Sequence, residues 1–381
     1  MNIGFDAKRA YHNQTGLGHY SRTLINSLSV DFPENDYFLF NPKPSNIFHF
    51  NKENIYEVLP IKLIHKSFSS LWRTKGILKE LKKLNIEIYH GLSHEIPVGI
   101  SKTKTKSVVT IHDLIFEHYP SQYNKMDVAI YRAKFKYACK NASHIIAISE
   151  QTKRDVIQFY KIPENKITVC YQSCNEQFAQ QISDEKKEKI RKKYSLPSEY
   201  LLSVGSIIER KNLLAICKSL KLLNSNIPLV VIGDGSSYKE IVKKYITENN
   251  LASRIIFLSE KEEAINSMSF KTAEDFPAIY QMATAMIYPS TFEGFGIPVL
   301  EALMSKIPVI TSNVSCLPET GGNAAFYINP TSEKEIANAI QEILENKSLV
   351  KERIELGTLH AQKFTPSKSA AAVMNVYKTL V

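Results

Sequence analysis

Short apolar runs alternate with longer amphipathic stretches along the whole chain. In the first half, the runs at Asn2–Asp6, Tyr37–Phe40, Ile86–His90, Ser107–Ile111, His144–Ile148 and Lys166–Cys170 are β-branched or aliphatic and of strand length. In the second half, Tyr200–Val204, Leu229–Ile232, Arg254–Phe257, Met286–Tyr288, Val309–Thr311 and Ala325–Ile328 have the same character. Helix-length patterns separate them, among them Gly18–Ser29, Asp127–Lys140 and Glu150–Tyr160. A last helix is expected over Pro366–Leu380, with Thr365 as its cap and Pro366 in its first turn. Strands alternating with helices predict an α/β fold of parallel sheets covered on both faces.

A chain of 381 residues has the length of two domains. A charged run, Asp184-Glu185-Lys186-Lys187-Glu188-Lys189, leads to Leu196-Pro197 and then a fresh strand, so a boundary is expected within Asn175–Tyr200. Ligands of doubly wound sheets bind beyond the carboxyl ends of the strands, where the motifs below fall.

Composition narrows the class. Hydrophobic residues make up 44% and charged residues 23%, as in an ordinary globular protein. Met1-Asn2-Ile3-Gly4-Phe5-Asp6 lacks the basic start and apolar run of a secretory signal, and no run approaches the ~18 apolar residues of a membrane span. A cytoplasmic protein is therefore expected. Its five cysteines, without a C-x-x-C pair, read as reduced, buried thiols rather than a zinc site. The net charge of +10 is uneven: residues 1–180 carry 24 Lys+Arg against 16 Asp+Glu, the remainder 24 against 22. The first half should face something anionic.

The strongest constellation is Ser290-Thr291-Phe292-Glu293-Gly294-Phe295-Gly296-Ile297-Pro298-Val299-Leu300-Glu301-Ala302, directly after the strand Met286–Tyr288. Its glycines allow backbone amides close to a ligand, and Pro298 marks a helix start whose amides suit phosphate or polarised hydroxyls. Glu301 is expected about two turns into that helix. Glu293 and Glu301 could accept hydrogen bonds from sugar and ribose hydroxyls. Taken alone, the same string could be a strand, a loop and a helix with exposed glutamates.

The Glu-x7-Glu pattern with its embedded Gly-Phe-Gly-Ile-Pro resembles the signature of glycosyltransferase family 4. Other segments match in the same order over nearly the whole chain: Gly16-Leu17-Gly18, His112-Asp113, Gly205 before Glu209-Arg210-Lys211-Asn212, and Ile232-Gly233-Asp234-Gly235. The resemblance implies the GT-B fold, two Rossmann-like doubly wound domains facing across a cleft. Residues 1–180, joined by the C-terminal helix 366–381, would bind the acceptor, and residues 181–365 the nucleotide sugar. It also implies retention of anomeric configuration. His112, Arg210, Lys211 and Glu293 would be the catalytic set: His112 contacts the transferred sugar, Arg210 and Lys211 open a helix and clamp the diphosphate. Gly16, Gly18, Gly205, Gly294, Phe295, Gly296, Ile297 and Glu301 would hold the donor. Replacing Glu293 or Lys211 by Ala would abolish transfer with little loss of stability. Two segments depart from the pattern. Gly322-Asn323-Ala324 stands where relatives have Gly-Asp-Ala, and Ser259–Phe276 reads as a polar insertion near the base.

No two aspartates are adjacent or two apart, so the Asp-x-Asp metal motif of the other large transferase class is missing, and neither metal nor cofactor is expected. The Arg-Lys-Asn variant resembles bacterial surface-polysaccharide mannosyltransferases. GDP-mannose is then the leading donor, a UDP-sugar the second choice, and a glycan or polyprenyl-diphosphate-linked glycan the acceptor. Lys62 to Lys83 reads as a basic amphipathic helix, with Phe68, Leu71, Trp72, Leu78 and Leu81 at helical spacing. Such a stretch, 62–84, could rest on an anionic membrane at the inner face of the plasma membrane, or it could pack in the core with its lysines in water. No nucleic-acid motif is present. A nucleotide-sugar epimerase of the same fold is the alternative function. A nicotinamide dehydrogenase is disfavoured, because His19-Tyr20-Ser21 replaces the third glycine of its fingerprint.

Overall fold

The computed structural model describes every residue except 46, 63, 64, 66 and 67. The chain divides into two compact units, Met1–Ser173 with Phe364–Val381, and Cys174–Lys363.

The first unit is built on seven parallel strands: β1 (Asn2–Asp6), β2 (Asp36–Phe40), β3 (Ile55–Val58), β4 (Ile88–Gly91), β5 (Lys106–Ile111), β6 (His144–Ala147) and β7 (Ile167–Val169). Their order is β3-β2-β1-β4-β5-β6-β7, so the winding reverses between β1 and β4. Ile3 lies opposite Tyr37 on one side and Ile88 on the other. Side chains alternate between two cores, as the pleat requires. Phe5, Leu39 and Ile88 join one core; Phe40, Tyr89 and Val109 join the other. On the first face the Gly16–Asp31 and Pro366–Lys378 helices pack together and bury Leu24, Leu28, Val373 and Tyr377. Each such aliphatic side chain is worth about 1.5–3 kcal/mol relative to exposure. The Tyr377 hydroxyl also bonds His90 Nδ1 at 2.5 Å, which ties the last helix to β4.

Two findings differ from the sequence reading. Strand β3 was not expected. It follows the polar run Asn51–Asn54 and exposes Tyr56 and Glu57, so its strand character comes from pairing with β2 at the sheet edge rather than from its own pattern. The stretch 62–84 is not one amphipathic helix. Leu63, Ile64 and Lys66 lie outside the described residues. Beyond them a single turn, Ser69–Leu71, runs into a π-turn, Trp72–Gly76, and then the helix Ile77–Lys83. Trp72, Ile77 and Leu81 are fully buried in the core beneath β4 and β5, so the only tryptophan packs the fold. Phe68 and Leu71 remain exposed beside Lys75, Lys79, Lys82 and Lys83.

The second unit holds six parallel strands: β8 (Leu201–Val204), β9 (Leu229–Ile232), β10 (Ile255–Phe257), β11 (Ala285–Tyr288), β12 (Val309–Ser312) and β13 (Phe326–Ile328). Their order, β10-β9-β8-β11-β12-β13, reverses between β8 and β11. The polar segment 259–276 folds into short helices, Glu262–Ile265 and Met268–Lys271, before the helix Phe276–Gln281. Its polarity is partly internal. Asp275 Oδ2 accepts from the Tyr194 hydroxyl (2.6 Å), Ser269 Oγ (2.6 Å) and Lys193 Nζ (3.0 Å). These bonds lock the segment to the Asp184–Tyr194 helix. All five cysteines are free and buried.

Candidate active site

The main cluster forms where the second sheet reverses. Beyond β8, Gly205 adopts φ +137° and the chain reaches a 3-10 turn, Glu209–Lys211. Asn212 follows in the left-handed conformation, which asparagine tolerates better than most residues, and only then does the helix Leu213–Leu220 begin. Arg210 and Lys211 therefore precede the helix rather than open it. The Asn212 amide pins the turn by donating to the carbonyls of Pro330 (2.6 Å) and Pro289 (3.3 Å).

Beyond β11 the chain runs from Tyr288 to Gly296, which has φ +97° and caps the helix Ile297–Met304. A Cβ at Gly296 would stand 2.8 Å from Leu317 Cδ2, so both conformation and space call for glycine. Gly294, Phe295 and Glu293 are buried in this turn. The first amides of the helix have no partner within it and carry partial positive charge. Glu301 lies in the fifth position of this helix, just over one turn in rather than two, because the helix starts only at Ile297.

Glu293 joins the two segments. Its Oε1 lies 2.7 Å from Arg210 Nη1 and 2.6 Å from Lys211 Nζ, and it accepts from the Tyr288 hydroxyl at 3.0 Å. Lys211 also donates to the Tyr288 hydroxyl and lies 4.5 Å from that ring's centroid. Arg210 donates to the Phe292 carbonyl, and the Glu293 amide donates to Ser315 Oγ at 3.1 Å. Arg210 and Glu293 are each over nine-tenths buried. Burial acts to raise the Glu293 carboxyl, but Lys211 and Arg210 outweigh it and hold it below the usual range. Burial pushes Lys211 down, and Arg210 adds to that. One buried carboxylate thus balances two cations, leaving a net charge of +1. Such a cluster is suited to an anion.

Glu301 is held separately. Tyr280 donates to its Oε2 at 2.7 Å, and burial lifts its carboxyl to about 7 against that bond.

The remaining expected residues stand in the first unit. His112 follows β5 and is 5% exposed. Its Nε2 lies 2.8 Å from the Leu92 carbonyl, so Nε2 carries the proton. Burial lowers its pKa to about 4, so the ring is neutral at physiological pH. The Tyr20 ring meets it edge-on at 4.7 Å. Tyr20 belongs to the helix that begins at Gly16, after an additional short helix, Lys8–His12. A Cβ at Gly18 would come within 1.8 Å of the Asn13 carbonyl oxygen, whereas Gly16 faces open space. In the first unit His112 thus meets Tyr20, which shares its helix with Gly16 and Gly18. The second gathers Gly205, Arg210, Lys211, Glu293 and the Gly294–Ile297 turn.

Tyr288 and Tyr280 were not singled out in the sequence. Tyr288 is the last residue of β11, and the strand-end rule could have flagged it. Ser315, from the loop after β12, carried no signal. Among the described residues no group of three or more His, Cys, Asp or Glu is arranged to hold a metal ion, and no helix is long and apolar enough to cross a membrane.

Comparison with known proteins gives two family matches in succession. The model for Glycosyltransferase Family 4 covers residues 35–177, and that for Glycosyl transferases group 1 covers residues 185–360. The chain is 24% identical to O-antigen chain mannosyltransferase B of Escherichia coli over the whole of both proteins. It is 29% identical to O-antigen chain mannosyltransferase RfbU of Salmonella typhimurium, over 72% of this chain and 69% of that one. Among solved structures, a glycosyltransferase from Rickettsia africae matches 100% of this chain and 98% of its own with a TM-score of 0.75 at 21% identity, a likeness of fold.

Proposed function

We propose, from the premise that this chain belongs to glycosyltransferase family 4, that it moves mannose from GDP-mannose to a glycan or polyprenyl-diphosphate-linked glycan in bacterial surface-polysaccharide assembly. The observation that carries the reading is the buried cluster of Arg210, Lys211 and Glu293 with its net positive charge. The names of the two O-antigen mannosyltransferase relatives support mannose and the glycan acceptor.

In this reading the diphosphate binds against Arg210 and Lys211. As the bond from the anomeric carbon to the diphosphate oxygen breaks, the leaving group gains negative charge, which the two cations and the helix amides stabilise. Losing one such preorganised group typically lowers turnover about 10²–10³-fold. Glu293 and the amides of Gly294–Ile297 grip the sugar hydroxyls, and Glu301 accepts from the ribose. Neutral His112 contacts the sugar near its reacting face. The acceptor hydroxyl attacks from the side the diphosphate leaves, which retains configuration, and its proton passes to the departing diphosphate oxygen. The cationic clamp fills the role a divalent metal has elsewhere, so transfer should proceed in EDTA. Exposed Phe68 and Leu71, among lysines, support a peripheral position on an anionic membrane.

Purified protein, offered GDP-mannose or UDP-hexoses in EDTA with a polyprenyl-diphosphate glycan, tests the reading by mass spectrometry of the product. Mannosylated acceptor with the α-mannoside linkage of GDP-mannose is expected. Transfer only from UDP-hexoses would overturn the donor, and an inverted linkage would overturn the mechanism.

A further inference from the structure

A chain of buried hydrogen bonds crosses the first unit and ends against His112. It starts at Tyr377, in the Pro366–Lys378 helix, whose hydroxyl lies 2.5 Å from His90 Nδ1. His90 Nε2 lies 2.7 Å from Thr110 Oγ1, and Thr110 Oγ1 lies 3.2 Å from the Tyr20 hydroxyl. Tyr377, His90 and Thr110 have no exposed surface, and Tyr20 is 7% exposed. The Tyr20 ring then meets the His112 ring edge-on at 4.7 Å.

The sheet explains the route. His90 on β4 lies opposite Val108 on β5, so Thr110, two residues along, presents its side chain on the same face. Each of the two bonded residues also stands two places before a part of the His112 site. Leu92, whose carbonyl holds His112 Nε2, follows His90, and His112 itself follows Thr110.

The protons run one way. Burial pushes His90 down to about 3, and His112 adds to that, so the ring is neutral, donating from one nitrogen and accepting at the other. Among the described residues the Tyr377 hydroxyl has no partner besides His90, and Thr110 Oγ1 none besides His90 and Tyr20. A proton on His90 Nδ1 would leave the Tyr377 proton unpaired in the core, at the full desolvation cost of that group. Tyr377 therefore donates to Nδ1, Nε2–H donates to Thr110, and Thr110 donates to Tyr20. The one proton left over sits on Tyr20, the member with some exposed surface.

Stability alone does not call for this chain. Tyr20 and Tyr377 lie in the core with Leu24, Ile88 and Val373. Apolar side chains of the same shape would fill the same space, and replacing both partners of a buried bond in that way is often nearly neutral. What a fully satisfied buried network does add is a single arrangement of its members. The arrangement held here is that of the Tyr20 ring, and with it the His112 ring.

We infer that Tyr377, His90, Thr110 and Tyr20 are positioning residues that set the His112 ring against the transferred sugar, so that the Pro366–Lys378 helix tunes the reaction. The link to transfer rests on the transferase reading; the setting of the His112 ring does not.

Two measurements on the full chain test this. Tyr377→Phe and Thr110→Val each remove one hydroxyl with little change of shape, and Thr110→Ser keeps it. NMR of protein carrying isotope-labelled histidine reads the His112 ring, assigned by the signals lost in His112→Ala. The His112 signals should shift in Tyr377→Phe and Thr110→Val and return towards wild type in Thr110→Ser, and wild-type His90 should show the Nε2–H tautomer. Transfer from GDP-mannose to the polyprenyl-diphosphate glycan, normalised to the GDP sites counted by calorimetry, reads the consequence. In Tyr377→Phe and Thr110→Val kcat should fall about tenfold with the donor KM within about twofold, and Thr110→Ser should recover to within about twofold of wild type. In the His112→Ala background Tyr377→Phe should cost less than about twofold, because its route to the sugar is gone. His112 signals unmoved by both substitutions, or a tenfold loss that persists in His112→Ala, would overturn the positioning role. Shifted signals with unchanged kcat would overturn its link to transfer. Should Tyr377→Phe not fold, Thr110→Val and Tyr20→Phe decide by the same signals. No transfer from GDP-mannose by wild type would sink the donor reading, while the His112 signals still decide the network.

Discussion

The two sheets reverse their winding in the same way, and each reversal gathers charged side chains, yet the two clusters differ in balance. At β8 and β11, buried Glu293 faces buried Arg210 and partly exposed Lys211 and leaves one positive charge over. At β1 and β4, Asp6 pairs with Arg73 and Glu95 with Lys134 around a pocket, one carboxylate to each cation. The fold sets both clusters beyond the carboxyl ends of parallel strands, where ligands of such sheets commonly bind. It does not choose the ligand; the count of carboxylates against cations does. A largely buried cluster with one cation to spare suits a diphosphate; a cluster whose charges pair off does not.

The sharpest way to break this contrast is to remove one carboxylate from each cluster. Glu293→Ala leaves two buried cations without their counter-ion and should cost about 3–5 kcal/mol, together with all detectable transfer. This corrects the sequence-level expectation of little loss of stability. Glu95→Gln removes a partly exposed partner and should cost at most about 1 kcal/mol. Urea unfolding of the two variants measures the difference, and equal losses would contradict it.

Lys211→Ala comes next. Glu293 keeps Arg210 and Tyr288, so stability should change by no more than about 1 kcal/mol while turnover falls about 10²–10³-fold. Steady-state kinetics beside an unfolding curve reads both, and normal turnover would remove Lys211 from the site.

A smaller effect follows from Glu301. Burial raises its carboxyl from 4.5 to about 7, so the fold favours the protonated form. Its contribution to stability is fully present below pH 4.5, declines from about 4.5 to 7, and is level above that. Ribose hydroxyls favour the ionised form, so nucleotide affinity should rise as pH climbs through 7. Glu301→Gln should flatten both profiles; a pH-independent wild type would contradict the ribose role. The smallest effect belongs to His112. With its pKa lowered to about 4, it should contribute no limb to the pH–rate profile above about pH 5. A kinetic pKa near 6.5 that disappears in His112→Ala would refute that.

Much of this architecture was legible along the chain. The apolar runs placed every strand except β3, whose edge position leaves half its side chains in water and erases the periodic signal. The glycine-rich turn after β11 and the basic pair after β8 announced themselves because glycine and paired cations at strand ends have few other uses. Partnership was not legible. Nothing in the sequence says that one Glu293 oxygen holds both Arg210 and Lys211, or that Tyr288 completes the contact. Trp72 shows the limit of periodicity: helical spacing identifies an apolar stripe but not whether core or membrane covers it, and here the core does. The pocket at Asp6 draws on five separate stretches of chain, so no local motif could reveal it.

Calorimetric titration of GDP, GMP and UDP, in EDTA, into wild type and Lys211→Ala tests the diphosphate site most directly. Wild type should bind GDP more tightly than GMP, and Lys211→Ala should lose at least tenfold in GDP affinity while keeping its circular dichroism. Equal affinity for GDP and GMP, or wild-type GDP binding by Lys211→Ala, would contradict the assignment of the Arg210–Lys211–Glu293 cluster to the donor diphosphate.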